Sequence, residues 1–328
     1  MQAEIRFHLP AKDLEGFRNA QHLRIFRRIE EALAPRGAAI RVLPIEPPPQ
    51  TSPDDGSVDP RFPDAHLHIL WNGRQRRHNV LNAALAYIEP YWHLDPRGVL
   101  CDSSIAGRAY DPGTVPFRRA DPLFQALRRR LVVKRHSRYQ QMRAKTPVPE
   151  GAIAVFLQGR TPYRDGSAHC SAEEMLRCVA RHAGGRPVVV KGHPLGSGMD
   201  DIALVADLMA EGHDLHPTDA NVHDILAACC VTVSVNSAVA MEGFLHRKPA
   251  ILFGRSDFHH NAETVRDPAE FPTALDRALT RRGGHAQFIH WYFAQNCLSL
   301  HDPDFTEAVL ARFAAAGFPA ERLGLAPG

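Results

Sequence analysis

Four short runs rich in valine and isoleucine recur between residues 152 and 254: AIAVFLQ (152–158), RPVVVKG (186–192), CVTVSV (230–235) and PAILFG (249–254). Runs this apolar do not alternate inward and outward, so they read as strands buried on both faces, the condition of a parallel sheet covered by helices. Helix-like segments follow at 171–183, 201–211, 222–228 and 238–246. The first is opened by Ser171, with Glu174 at the capping-box spacing. Strand and helix in strict alternation specify a doubly wound α/β sheet.

The first half repeats this grammar less cleanly. EIRFHL, AAIRVLP and HLHILW read as strands, and residues 21–33 as a helix with Leu23, Ile25, Phe26, Ile29 and Leu33 on one face. The run HNVLNAALAY (78–87) reads as a further helix, and a proline-rich loop fills 44–63. The 328 residues suit two domains of roughly 150 each. TPVPEG (146–151) breaks the pattern, which sets the expected domains at 1–147 and 148–328, the second ending in helices.

Composition narrows the function classes. No window offers the roughly 18–20 uninterrupted apolar residues of a membrane span, and the amino terminus lacks a secretory layout, so a cytoplasmic protein is expected. Six cysteines without a CxxC pair read as reduced thiols. A net charge of +3 gives no reason to expect a nucleic-acid partner. Charge is concentrated, however: between Arg118 and Lys145 ten Lys/Arg stand against one acid, Asp121. That tract reads as a helix with a basic face, suited to an anionic acceptor or to peripheral contact with the inner face of the cytoplasmic membrane.

In an open parallel sheet, ligands bind outside the carboxyl ends of the strands. The first run of the second half ends in Gln158 and enters a loop bearing Arg160, Arg164 and Asp165. The second ends in Lys191 and His193, separated by one glycine, so that in extended backbone both point to one side and could converge on one phosphate. The third ends in Asn236 and Ser237 before a helix that opens on small residues, where helix-terminal N–H groups favour an anion. Glu242, further along that helix, is a candidate acceptor from a sugar hydroxyl. No metal-ligand spacing, GxGxxG, Walker loop or GxSxG elbow is present.

Taken in order, VVVKGHP, CVTVSVNSAVAMEGFLHRKPAILFGRSDF and HAQFIHWYFAQNC, with LWNGR (70–74) and LDPRGVLCDSS (94–104) before them, resemble the bacterial capsular polysaccharide synthesis proteins that include the β-Kdo glycosyltransferases. The resemblance spans about residues 65–300. It implies a GT-B fold, two Rossmann-like domains facing a cleft, with CMP-β-Kdo held by the second domain. It also implies a nucleotide-sugar donor with neither metal nor other cofactor, and a glycolipid or anionic polysaccharide as acceptor.

Carried over by residue, His193 would contact the nucleotide phosphate and Ser237 would bind it at the helix terminus. Members also carry a Gln followed within a few residues by Asp. Here Gln158 and Asp165 are the nearest match, seven positions apart, a wider spacing than the pattern. For an inverting transfer, Lys191, His193 and Ser237 would stabilise the departing phosphate, and Asp165 would take the acceptor proton. Asp95, Arg97, Asp102 and Ser103 are the candidates on the acceptor side. Two alternatives stand beside this reading: a UDP-sugar 2-epimerase-like enzyme, and a non-catalytic capsule assembly or export factor.

Overall fold

A computed structural model of the chain describes residues 2–45, 61–194 and 196–326, which form two units, one of residues 1–108 and 292–328, the other of residues 109–291. Most of the proline-rich loop lies outside the described residues. The first unit begins with β1 (Ile5–Leu9), α1 (Arg24–Leu33), β2 (Ile40–Pro44), β3 (Leu67–Trp71), β4 (Val80–Leu85) and β5 (Tyr91–Asp95). As the spacing of its apolar residues requires, α1 buries Ile25, Phe26, Ile29 and Leu33, and Phe26 meets Phe7 of β1 edge-on at 5.2 Å.

The segment expected to form a helix at 78–87 is instead β4, paired parallel to β3 and antiparallel to β5. A short apolar run has no periodicity to separate strand from helix, and here Val80, Leu81, Asn82, Ala83 and Ala84 are all buried. The crossover from β3 to β4 is a bare loop. Asn82 holds it: its side-chain oxygen accepts from the Gln75 N–H, and its amide donates to the carbonyls of Gln75 and Asp95. The sheet of the first unit is therefore mixed, and not purely parallel.

The second unit opens with α2 (Phe117–Leu127), which runs into a π-helical stretch, Arg128–Val133. There follow β6 (Ile153–Phe156), α3 (Thr161–Arg164), α4 (Ala172–Arg181), β7 (Val188–Lys191), α5 (Met199–Ala210), β8 (Leu215–Pro217), α6 (Val222–Ala228), β9 (Val231–Ser234), α7 (Val239–Leu245), β10 (Ala250–Leu252), β11 (Glu263–Thr264), α8 (Phe271–Thr280) and α9 (His285–His290). All its strand pairs are parallel, in the order β11-β10-β9-β6-β7-β8. The capping box at Ser171 and Glu174 is formed on both sides. Each of the four valine-rich runs supplies a buried strand, as the sequence required.

The chain then returns to the first unit through β12 (Leu298–Ser299), which pairs antiparallel with β5, and α10 (Phe305–Ala315), whose Phe305, Val309 and Phe313 join the core around α1. The division thus departs from the expected boundary at 147/148 in two respects. Residues 109–147 are fastened to the second unit: Arg135 forms a two-point ion pair with Asp224, and Asn221 donates to the carbonyls of Arg135 and Met142. The last 37 residues, 292–328, belong to the first unit. The basic tract is likewise helical only to Val133, and beyond it is a strap laid over α6 and α7. Of the six cysteines, Cys178, Cys229 and Cys297 are buried and the other three half-buried. Among the described residues no helix is long and apolar enough to cross a membrane.

Candidate functional site

In the second unit the chain proceeds from β6 through β7 to β8 on one side, then crosses back so that β9 lies against the other flank of β6. The reversal between β6 and β9 is a topological switch point, the place where a parallel sheet leaves a crevice beyond its carboxyl ends. Phe156, Lys191 and Ser234 stand level across the three neighbouring strands. Gln158 and Asn236 come directly after, one on each side of the switch point.

Those two side chains hold each other. Gln158 donates from Nε2 to Asn236 Oδ1 at 2.9 Å and accepts from the Asn236 N–H at 2.8 Å. Asn236 Nδ2 donates in turn to Ser167 Oγ and the Arg255 carbonyl, both at 3.0 Å. These bonds tie the loops after β6 and β9 to each other, and both residues, expected to contact substrate, remain half-buried there. Ser237, half-buried beside them, accepts the Val239 N–H on its hydroxyl while its own N–H donates to Ser234 Oγ.

Lys191 ends β7, where burial pulls its pKa down and Asp219 opposes the shift. His193 begins a tight turn in which its N–H donates to Ser197 Oγ at 2.7 Å and its carbonyl accepts from Gly196 and Ser197. The ring packs edge-on against Tyr139 at 5.2 Å, and burial, then nearby Arg138, lowers its pKa. His193 is thus neutral near pH 7, a hydrogen-bonding group that an arriving anion would help to protonate. The charged neighbours of the two differ: Asp219 for Lys191, Arg138 for His193.

The seven-position spacing from Gln158 to Asp165 is taken up by α3, a single turn started by Thr161 and Pro162. Asp165 closes that turn and accepts the Ser167 N–H at 3.0 Å. Arg160 and Arg164 are exposed, and Arg160 pairs with Asp200 in solvent at 3.2 Å, a contact worth little by itself.

Glu242 departs from expectation. It lies on the buried side of α7, accepts the Ser137 hydroxyl at 2.7 Å and sits 3.6 Å from His223 Nε2, with its other oxygen unbonded. It therefore cannot receive a sugar hydroxyl in the crevice. The first-unit candidates are also engaged locally. Asp95 accepts from the N–H groups of Arg97, Gly98 and Ser104 and from the Ser104 hydroxyl, Asp102 is buried against Arg74, and Ser103 is buried. These bonds organise the loop after β5, as expected of acids in turns. Arg97 is exposed. Sequence reasoning missed Arg138, Tyr139, Ser167 and Ser197. The basic tract drew notice for its charge, but nothing in its spacing announced that it returns to the His193 turn. Among the described residues no group of three His, Cys, Asp or Glu side chains is placed to hold a metal ion.

Residues 158–278, which begin at Gln158 and run through all these strand-end loops except the strap, match the model of the family described as capsule polysaccharide biosynthesis protein. The match is confined to that stretch of the chain. By sequence, no curated protein matches the chain. Among solved structures, the chain is similar to a KpsC β-Kdo 2,7 transferase of Thermosulfurimonas dismutans, at 13% identity and a TM-score of 0.50, over 94% of this chain and 100% of that one. The β-Kdo 2,4 transferase of the same organism matches at 14% identity and a TM-score of 0.48, over 88% and 89% of the two chains. The UDP-GlcNAc 2-epimerase of Methanocaldococcus jannaschii matches at 10% and 0.37, over 88% and 98%. At such identities the first likeness establishes a shared fold, two Rossmann-like α/β units of the GT-B kind. The capsule-family segment and that fold agree with the resemblance drawn from the motifs.

Proposed function

We propose that the chain is a capsule glycosyltransferase that moves Kdo from CMP-β-Kdo to a glycolipid or an anionic polysaccharide, without a metal ion. The observation that carries this reading is the coincidence of the capsule-family segment with a switch-point crevice whose rim bears Lys191, His193 and Ser237. A departing cytidine monophosphate develops charge on its phosphate, and fixed donors aimed at that charge lower the barrier. In this reading Lys191 supplies the cation, His193 and Ser237 donate hydrogen bonds, and the Gln158–Asn236 pair keeps the loops from relaxing as charge builds. Asp165, at the mouth of α3, is the proposed base for the acceptor hydroxyl. A single displacement on a β-configured donor requires an α-linked product; a β-linkage requires net retention and removes Asp165 from that role.

The test is a calorimetric titration of CMP, UDP and GDP in EDTA, followed by CMP release from CMP-Kdo made in situ and assignment of the product linkage by NMR. His193→Ala is expected to weaken CMP binding by about tenfold or more and to slow release by about 10²-fold. Tighter binding of UDP or GDP, or CMP binding that survives the substitution intact, contradicts the assignment. Binding without turnover on any acceptor favours the assembly-factor alternative.

Peripheral membrane contact through residues 118–145 is part of the same proposal. Arg118, Arg119, Arg129, Lys134, Arg138, Arg143 and Lys145 are exposed there, along with Phe117, Val133 and Met142 at 57%, 73% and 56%. Basic side chains near an anionic surface contribute about 1 kcal/mol each, and exposed apolar groups add insertion. Flotation with vesicles containing phosphatidylserine should recover the protein in a salt-sensitive manner. Equal recovery with neutral vesicles would exclude this contact.

A further inference from the structure

The first unit holds a cavity of about 510 Å³ lined by Arg77, His78, Arg108 and Arg312, with Asp95 and the apolar Leu81 and Leu94 among its other walls. Its place in the fold is unusual. Arg77 and His78 precede β4, and Asp95 ends the antiparallel β5 opposite Asn82, so the cavity lies toward the amino ends of the parallel strands, away from the edge where such sheets ordinarily take ligands.

The arginines are positioned rather than scattered. Arg312, half-buried on α10, donates to the Leu94 carbonyl at 2.9 Å and the Asn296 carbonyl at 3.2 Å. Two of the five N–H donors of a guanidinium are thereby used. Arg108 is oriented by Asn296 Oδ1 at 2.5 Å and by Ser104 Oγ at 3.4 Å. Burial, and to a smaller extent Arg108, work against the charge on Arg312, while Cys297 and Asp95 support it.

Among the described residues Asp95 is the only carboxylate in the lining, and its oxygens already receive the N–H groups of Arg97, Gly98 and Ser104 and the Ser104 hydroxyl. Nor do the backbone carbonyls of the last turn of α10 compete for a cation in the cavity. Those of Arg312, Phe313 and Ala314 accept from the N–H groups of Ala316, Gly317 and Phe318, and that of Gly317 accepts from Arg322. Three arginines thus line a recess whose one carboxylate, among the described residues, is engaged. Its volume falls within the roughly 300–1,000 Å³ of ligand pockets.

We propose that this cavity binds an oxyanion, carboxylate or phosphate, carried on a body the size of a single sugar, with Arg77, Arg108 and Arg312 gripping the charge and Leu81 and Leu94 flanking the body. Guanidinium groups match the paired oxygens of either anion. The inference does not depend on the CMP-Kdo reading, since it concerns only side chains of the first unit.

The test is calorimetric titration of the purified chain with glucuronate, glucose 6-phosphate, inorganic phosphate and uncharged methyl glucoside. At least one charged sugar should bind, methyl glucoside should not, and the double variant Arg77→Gln/Arg108→Gln should bind the charged sugar at least about tenfold more weakly. Those two positions are preferred to Arg312, whose loss would leave the Leu94 and Asn296 carbonyls without their partner. Unchanged urea unfolding of the double variant shows that its fold is kept. The stronger of the two charged sugars assigns carboxylate or phosphate, and binding of inorganic phosphate as well shows that the charge dominates. No binding of either charged sugar, equal binding by the double variant, or equal binding of methyl glucoside would overturn the proposal.

Discussion

Gly159→Ala is expected to remove most of the proposed nucleotide affinity and to destabilise the chain by about 2–4 kcal/mol, because two costs coincide at one position. Gly159 has φ +64°, in the left-handed region that costs an alanine about 1–2 kcal/mol. A methyl group there would also overlap the Gly196 carbonyl oxygen and stand 2.8 Å from the Gly196 Cα, where only backbone can yield. The displaced segment is the turn that carries His193, so the disturbance reaches the crevice directly. Gly196→Ala is the milder comparison: its added carbon would lie 3.1 Å from His193 Nδ1, a side chain able to shift. Urea unfolding and CMP titration of both variants check the ordering. A Gly159→Ala protein with native stability and affinity would mean that the two loops do not abut.

Glu242→Gln is expected to stabilise the protein above pH 7, by up to about 3 kcal/mol, and to change little near pH 4.5. Burial pushes the Glu242 carboxyl up to about 7 from its ordinary 4.5, against a smaller opposing effect of the Ser137 hydroxyl. The folded protein therefore retains this proton while the unfolded chain releases it. Stability falls as pH rises from about 4.5 to about 7 and levels off above, and an amide removes that dependence. The groups around the carboxyl are His223, itself held below its usual range by burial, and His246, lowered to about 3. Burial disfavours the charged form of both, which works against either supplying a compensating charge. Urea unfolding of the two proteins at pH 5 and pH 8 measures the difference. An equal gap at both values would show that Glu242 ionises normally.

These residues also show what the chain discloses before its structure is known. Strands β6, β7, β9 and β10 were legible because parallel strands covered on both faces must be apolar throughout, and few other structures tolerate VVV or VTV runs so short. The same simplicity misled at β4, where an apolar run with two small alanines fits a helix equally well and only its neighbours decide. At the candidate site, Gln158, Asn236, Ser237, Lys191 and His193 stand out in the sequence because strand ends are where such sheets place ligands. What could not be read was how each is engaged. Glu242 faces inward because α7 is packed on that side by the strap 134–147, a segment remote in sequence with no hydrophobic period. The division of units escaped notice for a similar reason: pairing of β12 with β5 is a long-range choice that no local window records.

The first unit is interrupted. Its sheet cannot gain β12, nor its core Phe305, Val309 and Phe313, until residues 109–291 have been made, whereas the second unit is one unbroken stretch of chain. During synthesis the later-encoded second unit can therefore close first, while the earlier-encoded strands wait on the ribosome with an unsatisfied edge at β5. Such a chain is most exposed to aggregation between the emergence of β5 and that of α10. Slowing translation anywhere in residues 109–291 would lengthen that interval, whereas slowing it after α10 would not.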